Sequence, residues 1–179
     1  MRVLTICGST RAASGNALLL RAFARRAPHL TWTAAPPLGE LPLFTPEALE
    51  AESAGASPSV FTQVAAFRQN LRDADAVLIA TPEYAHNLPA ALKSALEWVV
   101  ASGEFSRKRT VALTATPHAP RGERAMQSLV WTLRALDAQV LAEVPVYGVA
   151  ATVDPETAEV RDAELAEVMD AVVELLAGG

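Results

Sequence analysis

The sequence predicts an α/β protein in which helices cover both faces of a parallel β-sheet. Short apolar runs alternate along the chain with segments whose apolar residues recur at helical spacing. One run, residues 75–81, is continuously apolar, which suits a strand that is buried on both faces. Strands and helices that alternate in this way form a parallel sheet, because each helix carries the chain back across it.

The first half of the chain contains three predicted strands, at residues 2–7, 30–34 and 75–81. A helix is predicted over residues 16–26, with apolar side chains on one side and arginines at its end. A second helix is predicted over residues 59–73. Its apolar positions follow i, i+4, i+7 and i+11 and are Val60, Val64, Phe67 and Leu71. Prolines predict a long loop over residues 36–58, and they are Pro36, Pro37, Pro42, Pro46 and Pro58.

The second half continues the alternation. Pro89 can begin a helix that Gly103 ends. Strands follow at residues 110–114 and 139–146, and a helix at 122–136 lies between them. The last predicted helix spans residues 162–177, with apolar side chains in register on one face.

A glycine and several polar residues come directly after the first strand, where a parallel sheet places a binding loop. Together with the element order, this predicts a flavodoxin-like three-layer α/β/α sandwich with strand order 2-1-3-4-5. We expect a single domain over residues 1–179. In this topology three loops meet at the carboxyl ends of the strands, namely residues 8–16, 82–88 and 115–121.

Composition narrows the class of protein. A net charge of -5 disfavours nucleic acid and an anionic membrane surface as partners. The lone cysteine, Cys7, excludes an intrachain disulfide and a multi-cysteine metal site. No metal is predicted. Cys7 itself is expected to be a small buried side chain. The first apolar run is too short for a signal peptide or a membrane span, so the expectation is a soluble cytoplasmic protein.

The loop after the first strand has the composition of a phosphate site. Ser9 and Ser14 supply hydroxyl groups, Asn16 an amide and Arg11 a guanidinium, and the helix that follows offers free backbone N–H groups. The loop matches neither GxGxxG nor GxxxxGK[ST], so it fits a monophosphate better than a dinucleotide or a nucleoside triphosphate. For Ser14 and Asn16 the alternative is ordinary helix capping.

The second loop is bracketed by Pro82 and Pro89, which make its backbone rigid enough to present N–H and C=O groups to a planar ring. Tyr84 either offers an aromatic face to a ligand or covers the edge of the core. Glu83 either borders a ligand or is a solvated turn residue. His86 could donate a proton to a reduced substrate, although an exposed loop histidine is the favoured interpretation.

These motifs together resemble the NADPH-dependent FMN reductase family of flavodoxin-like proteins. The resemblance covers about residues 2–150, in the order and at the spacings that the family uses. Its motifs are Gly8-Ser9-x-Arg11-x-x-Ser14-x-Asn16, Leu41-Pro42-Leu43-Phe44, Pro82-Glu83-Tyr84 and Pro89-x-x-Leu92-Lys93-x-x-Leu96-Glu97-Trp98.

The resemblance implies a set of cofactor contacts. The FMN phosphate would be held by the side chains of Ser9, Arg11, Ser14 and Asn16 and by the backbone of Ala17 and Leu18. The isoalloxazine ring would be bordered by Pro82, Glu83, Tyr84, Ala85, His86 and Asn87. The flavin edge would be framed by Thr116 and Pro117.

The resemblance also implies an activity. NADPH or NADH would pass a hydride to the flavin, and the electrons would go on to a flavin, quinone, azo compound or metal oxyanion. The flavin carries the chemistry, so no side chain is assigned as a catalytic acid or base. Family members commonly form homodimers or homotetramers through the region of Lys93 and Glu97. Trp98 and the apolar face around it either make that contact or pack in the core.

Two departures from the family pattern leave alternatives open. Ala85 stands where the family usually has asparagine, and residues 116–122 contain two prolines where the family is rich in glycine. Arg121 in that loop either pairs with a nucleotide phosphate or is a surface arginine. The alternative functions are a flavodoxin-like electron carrier and a degenerate member that has lost its flavin.

Overall fold

A parallel sheet with the order β2-β1-β3-β4-β5 forms the centre of the part of the chain that the structure describes. The computed structural model describes residues 1–11, 13–56 and 59–178. Ala12 of the predicted phosphate loop and Pro58 of the predicted long loop lie outside the described residues. The strands are β1 Arg2–Cys7, β2 Thr31–Ala34, β3 Ala76–Thr81, β4 Arg109–Thr116 and β5 Gln139–Tyr147. The predicted fold and strand order are therefore confirmed.

Helices cover both faces of this sheet. They are α1 Gly15–Arg26, α2 Pro46–Ser53, α3 Thr62–Asp73, α4 Ala90–Glu97, α5 Glu123–Ala135, α6 Val149–Thr152 and α7 Ala163–Ala177. None of the helices among the described residues is long and apolar enough to cross a membrane.

The apolar core is divided by the sheet. One part packs α1 and α7 against one face, and the other packs α3, α4 and α5 against the opposite face. Every residue of β3 is buried, as its continuous apolar run predicts for a central parallel strand. The helices α1, α5 and α7 each bury a single apolar stripe against the sheet, as the helical spacing of their apolar residues predicts.

The segment predicted as a long loop contains regular structure. A 3₁₀ turn spans Leu38–Glu40, and α2 begins at Pro46, where a proline suits the first turn of a helix. The Thr45 hydroxyl caps this helix, because its oxygen accepts a hydrogen bond from the Ala48 N–H at 3.0 Å. The prolines therefore do not exclude a helix in this segment, since proline is tolerated in the first turn of a helix.

The helix predicted from residue 59 begins three residues later, at Thr62. Val60, which the helical pattern placed on the buried stripe, is 56% exposed. The rest of that stripe is buried, including Val64, Phe67 and Leu71. Val60 lies upstream of the helix and matches its apolar spacing without being part of the helix.

Trp98 packs in the core, which is the second of the two roles that the sequence leaves open for it. Its side chain is fully buried, its indole N–H donates to the Pro42 carbonyl at 2.8 Å, and its ring meets Phe44 and Phe61 edge to face. The Ser94 hydroxyl accepts from the Phe44 N–H at 2.8 Å. These contacts attach residues 42–44 to α4.

Cys7 ends β1 and is half-buried, slightly less enclosed than the sequence suggested. Its thiol lies 3.6 Å from the Ser9 carbonyl oxygen. Burial raises the pKa of the Cys7 thiol above its usual value, and the hydrogen bonds to Ser9 and Ser14 only partly oppose that effect. The thiol is therefore the form present at neutral pH.

Candidate functional site

A cleft of about 240 Å³ opens at the carboxyl ends of β1, β3 and β4. This is the position where an open α/β sheet with this strand order binds ligands. Loops that follow these strands form its walls. The lining residues are Ser9, Arg11, Ser14, Gly15, Asn16, Pro82, Glu83, Tyr84, Ala115, Thr116, Pro117 and Arg121.

The loop between β1 and α1 forms the first wall. The Gly8 N–H donates to the Ala80 carbonyl at 2.8 Å, which fixes the start of the loop against β3. Ser14 is the N-cap of α1, and its hydroxyl oxygen accepts from the Asn16 N–H at 3.1 Å. The α1 N-terminus, with the positive end of its dipole, therefore lies beside the cleft.

Arg11 brings a positive charge to this wall. The Arg11 N–H donates to the Ser9 hydroxyl at 3.3 Å, which folds the loop back on itself. In the described part of the chain its guanidinium has no ion-pair partner. An arginine that lines a cleft without a protein carboxylate is available to an anion.

Asn16 tests whether the cleft fits FMN. Only 4% of this residue is exposed, and its amide N–H donates to the Ala115 carbonyl at 3.3 Å. Its Oδ1 atom is buried and lacks a hydrogen-bond partner among the described residues. A buried acceptor without a donor is unfavourable, and a ribityl hydroxyl beside the phosphate would supply that donor. The group that the family would place here therefore fits the residues present.

The second wall is the turn after β3. The backbone of Tyr84 and Asn87 pairs in both directions, at 3.0 and 2.9 Å. Between them, Ala85 and His86 both have positive φ, at 48° and 60°. This is the two-residue type I′ pattern, which favours asparagine and glycine because a Cβ is strained there. The asparagine that the family usually has at this position suits a positive φ. The alanine of this chain does not.

Ala85→Gly is expected to stabilise the protein by about 1 kcal/mol, because glycine adopts positive φ without a Cβ clash. Ala65→Gly is the matched control, since Ala65 is exposed within α3 and glycine costs about 1 kcal/mol inside a helix. Urea denaturation of both variants checks the opposite signs. A loss of stability in both would show that the turn is unstrained.

Glu83 is buried and caps a distant helix. Its side chain is 8% exposed, and its Oε2 atom accepts from the N–H groups of Gly122, Arg124 and Ala125 at 3.1, 3.1 and 3.2 Å. These groups belong to the N-terminus of α5, whose N-cap Gly122 has no side chain to satisfy them. The alternative of a solvated turn residue is therefore wrong.

These contacts govern the ionisation of Glu83. Burial raises the pKa of the carboxyl, but hydrogen bonds from Ala125, Gly122 and Arg124, with a smaller one from His86, outweigh it. The pKa of Glu83 therefore lies below its usual value. The charged carboxylate is the form that the α5 N-terminus stabilises.

A pH dependence follows for Glu83→Gln. The ionised carboxylate contributes stability above the usual glutamate pKa of about 4.3, and this contribution is lost as the pH falls through the lower folded-state value. The variant is expected to be less stable than the wild type by about 1 kcal/mol at neutral pH. Thermal unfolding from pH 7 down to pH 3 should show the difference narrowing in the acid range. A difference that stays constant would contradict the assignment.

The third wall follows β4. The Thr116 hydroxyl donates to the Arg121 carbonyl at 2.7 Å, and the Thr116 carbonyl accepts from the Gly148 N–H at 3.0 Å. Pro117 lines the cleft beside them. Arg121 is exposed and, within the described ranges, has no ion-pair partner. It adds a second guanidinium to the cleft.

The structure brings most of the predicted site residues together. The cleft is lined by the predicted residues Ser9, Arg11, Ser14, Asn16, Pro82, Glu83, Tyr84, Thr116 and Pro117. The predicted residues that lie outside its lining are Ala17, Leu18, Ala85, His86 and Asn87. The Leu18 N–H donates to the Ser14 carbonyl at 2.9 Å, within the first turn of α1. The His86 side chain is 71% exposed, and its Nδ1 lies 3.4 Å from the Glu83 carboxylate.

Gly15 and Ala115 also line the cleft and are not among the residues predicted from the sequence. Neither carries a polar side chain, so only their places beside Ser14 and Thr116 could have indicated them. A larger groove of about 430 Å³ lies between α5 and β5. It contains none of the predicted site residues, so the smaller cleft is the candidate site.

The sheet order and the cleft at the strand ends define a protein with the flavodoxin-like fold. The sequence matches the family of NADPH-dependent FMN reductases over residues 1–152. The chain belongs to this family, and it is therefore classed as an oxidoreductase that works with FMN and a nicotinamide nucleotide.

One relative is similar in sequence, and two solved structures share the fold. The chain is 30% identical over 167 residues to a quinone reductase of Escherichia coli K12, covering 90% of this chain and 86% of that protein. FerB, an NAD(P)H:(acceptor) oxidoreductase from Paracoccus denitrificans, has a similar fold, with a TM-score of 0.79 at 20% identity over 99% of this chain and 95% of that one. An FMN-dependent NADH-azoreductase of Bacillus anthracis, solved with FMN, has a TM-score of 0.65 at 15% identity over 98% and 100% of the two chains.

Proposed function

We propose that this protein binds FMN in the cleft and carries electrons from NADPH or NADH to a quinone. The observation that carries the proposal is the α1 N-terminus, where Arg11 and Asn16 line one cleft. Among the described residues, the Arg11 guanidinium has no ion-pair partner and the Asn16 side-chain oxygen has no hydrogen-bond partner. The first suits a phosphate, and the second suits a hydroxyl donor next to it. FMN carries both groups on one flexible chain.

Different residues of the cleft would bind different parts of the cofactor. Arg11, the hydroxyl groups of Ser9 and Ser14 and the N-terminus of α1 would hold the phosphate. Asn16 would accept a hydrogen bond from the ribityl chain. FMN supplies the hydride chemistry when bound, so the side chains only have to bind, orient and expose it.

The turn after β3 and the loop after β4 would border the ring. Pro82 and Tyr84 line one side of the cleft, and Thr116 and Pro117 line the other. Tyr84 is 47% exposed, so part of its aromatic surface stays accessible at the cleft. Such a surface suits a flat acceptor, and the quinone reductase name of the E. coli relative supports quinones as the first class to test.

Steady-state kinetics test this function. The protein loaded with FMN should oxidise NADPH or NADH faster when a benzoquinone is added, and Arg11→Ala at the same FMN concentration should lose most of that rate. Arg25→Ala, at the far end of α1, is the control and should keep it. No oxidation of either nucleotide with quinone, azo or flavin acceptors would overturn the proposal and favour a simple electron carrier.

We also propose that the chain forms a homodimer or homotetramer, as the resemblance to its family implies. Trp98 is buried, so the contact would have to use exposed apolar side chains such as Val100. Light scattering of the purified protein at micromolar concentration measures its mass in solution. A mass equal to that of one chain would overturn this proposal.

A further inference from the structure

We propose that Glu83 is a positioning residue that holds two walls of the cleft in register for the flavin ring. The inference rests on the proposed function, because it concerns how the same cleft receives FMN. It gives Glu83 a role that is different from a direct contact with the ring.

The contacts of Glu83 join segments that are far apart in sequence. Its Oε2 atom accepts from the Gly122 N–H, 39 residues away, and from those of Arg124 and Ala125, 41 and 42 residues away. Its other carboxylate oxygen lies 3.4 Å from the His86 ring. The carboxylate therefore connects the turn after β3 to the start of α5, and an ionised acceptor makes each of these hydrogen bonds stronger than a neutral one would.

Both ends of this connection adjoin cleft walls. Pro82 and Tyr84 are the immediate neighbours of Glu83, and both line the cleft. Arg121 lines the opposite side and directly precedes Gly122, whose N–H donates to Glu83. Any change in the position of α5 relative to β3 would alter the width of the cleft between these walls, so the carboxylate fixes that width.

The structure also separates this role from phosphate binding. The Glu83 carboxylate occupies the positive end of α5, so that helix terminus is neutralised and does not attract a ligand anion. The α1 N-terminus and Arg11 belong to the first wall, and among the described residues no hydrogen bond or ion pair joins them to Glu83. Loss of Glu83 should therefore weaken binding of the ring and leave the contribution of the phosphate unchanged.

Comparison of FMN with riboflavin, which has the same ring and no phosphate, tests this separation. Fluorescence titration gives the Kd of each flavin for the wild type and for Glu83→Ala. We expect Glu83→Ala to raise both Kd values by about tenfold, with their ratio unchanged. Arg11→Ala should instead raise the Kd of FMN alone.

Asp162→Ala is the matched control for a purely structural effect. Asp162 caps α7 by accepting from the Leu165 N–H at 2.8 Å, and α7 contributes no residue to the cleft lining within the described part of the chain. This variant should lower the Tm and leave both Kd values unchanged. Equal losses of flavin affinity in Asp162→Ala and Glu83→Ala would overturn the positioning role.

Glu83→Gln keeps the inference testable if Glu83→Ala does not fold. The amide oxygen of glutamine can still accept from the α5 N–H groups, so this variant should raise both Kd values by less than Glu83→Ala, about threefold. Wild-type affinity for both flavins in Glu83→Ala or Glu83→Gln, with Arg11→Ala still impaired, would overturn the inference alone. Failure of the wild type to bind either flavin would overturn the inference together with the proposed function.

Discussion

Arg11→Ala is expected to weaken FMN binding by about 10- to 100-fold, because a charge-assisted hydrogen bond to a phosphate contributes roughly 1.5–3 kcal/mol. The guanidinium lines the cleft and has no carboxylate partner in the described ranges, so no protein contact competes for it. For the same reason its removal should leave the fold intact. Isothermal titration with FMN and a thermal unfolding curve measure the two effects.

Riboflavin and Arg25→Ala control this result. Riboflavin has no phosphate, so its affinity should be the same for the wild type and Arg11→Ala. Arg25 lies in the last turn of α1, away from the cleft, and its replacement should leave the FMN affinity unchanged. An Arg11→Ala variant with the FMN affinity of the wild type would mean that the phosphate binds elsewhere.

Gly8→Ala is expected to destabilise the protein by about 1–3 kcal/mol, the usual cost of adding a methyl group to a close-packed interior. A Cβ at this position would lie 2.5 Å from Thr81 Oγ1 and 2.9 Å from Leu92 Cδ2. Both side chains are fully buried, so neither can move aside freely. Urea denaturation measures the loss, and FMN affinity should fall as well because Gly8 begins the phosphate loop.

Gly15→Ala provides the comparison for stability. A Cβ at Gly15 would lie 3.8 Å from Val149 Cβ, which is an ordinary contact, and alanine favours the helix that begins there. Its free energy of unfolding should therefore equal or slightly exceed that of the wild type. If Gly8→Ala were as stable as Gly15→Ala, the close approach of β1 and β3 at Gly8 would be refuted.

The strands and helices were predictable because hydrophobic periodicity records which faces are buried, and the strand order was predictable from the polar loop directly after the first strand. The apolar run of residues 75–81 reports burial on both faces directly, and β3 occupies the centre of the sheet. Residues 36–58 were harder, since their prolines are equally compatible with a loop and with a helix start. The Thr45 hydroxyl, which caps α2, distinguishes a helix start from a loop in this segment. A threonine in a sequence does not by itself indicate a cap, because its hydroxyl also forms other hydrogen bonds.

The residues of the cleft were predictable for a different reason. Those of the first loop are close in sequence and chemically distinctive, so Arg11 and Asn16 could be named with their phosphate-binding loop. The capping role of Glu83 could not be named, because it depends on a hydrogen bond to a helix that begins 40 residues further along. One indirect signal was present, since Gly122 precedes a helix and cannot cap it with a side chain.

Ala85 departs from the family pattern in the turn after β3. From the sequence alone, the departure is the loss of the asparagine side chain that the family usually has at this position. The structure places Ala85 outside the cleft lining, in a turn where its positive φ is the main consequence. The departure therefore bears first on the stability of the turn.

The visible absorption spectrum tests the central claim most directly. The purified protein is incubated with FMN, passed through a desalting column and titrated without oxygen with NADPH and then, in a separate sample, with NADH. We expect a flavin absorption band that stays with the wild-type protein, is diminished in Arg11→Ala and bleaches with at least one of the nucleotides. A wild-type protein that emerges colourless, or that holds FMN without bleaching by either nucleotide, would contradict the account.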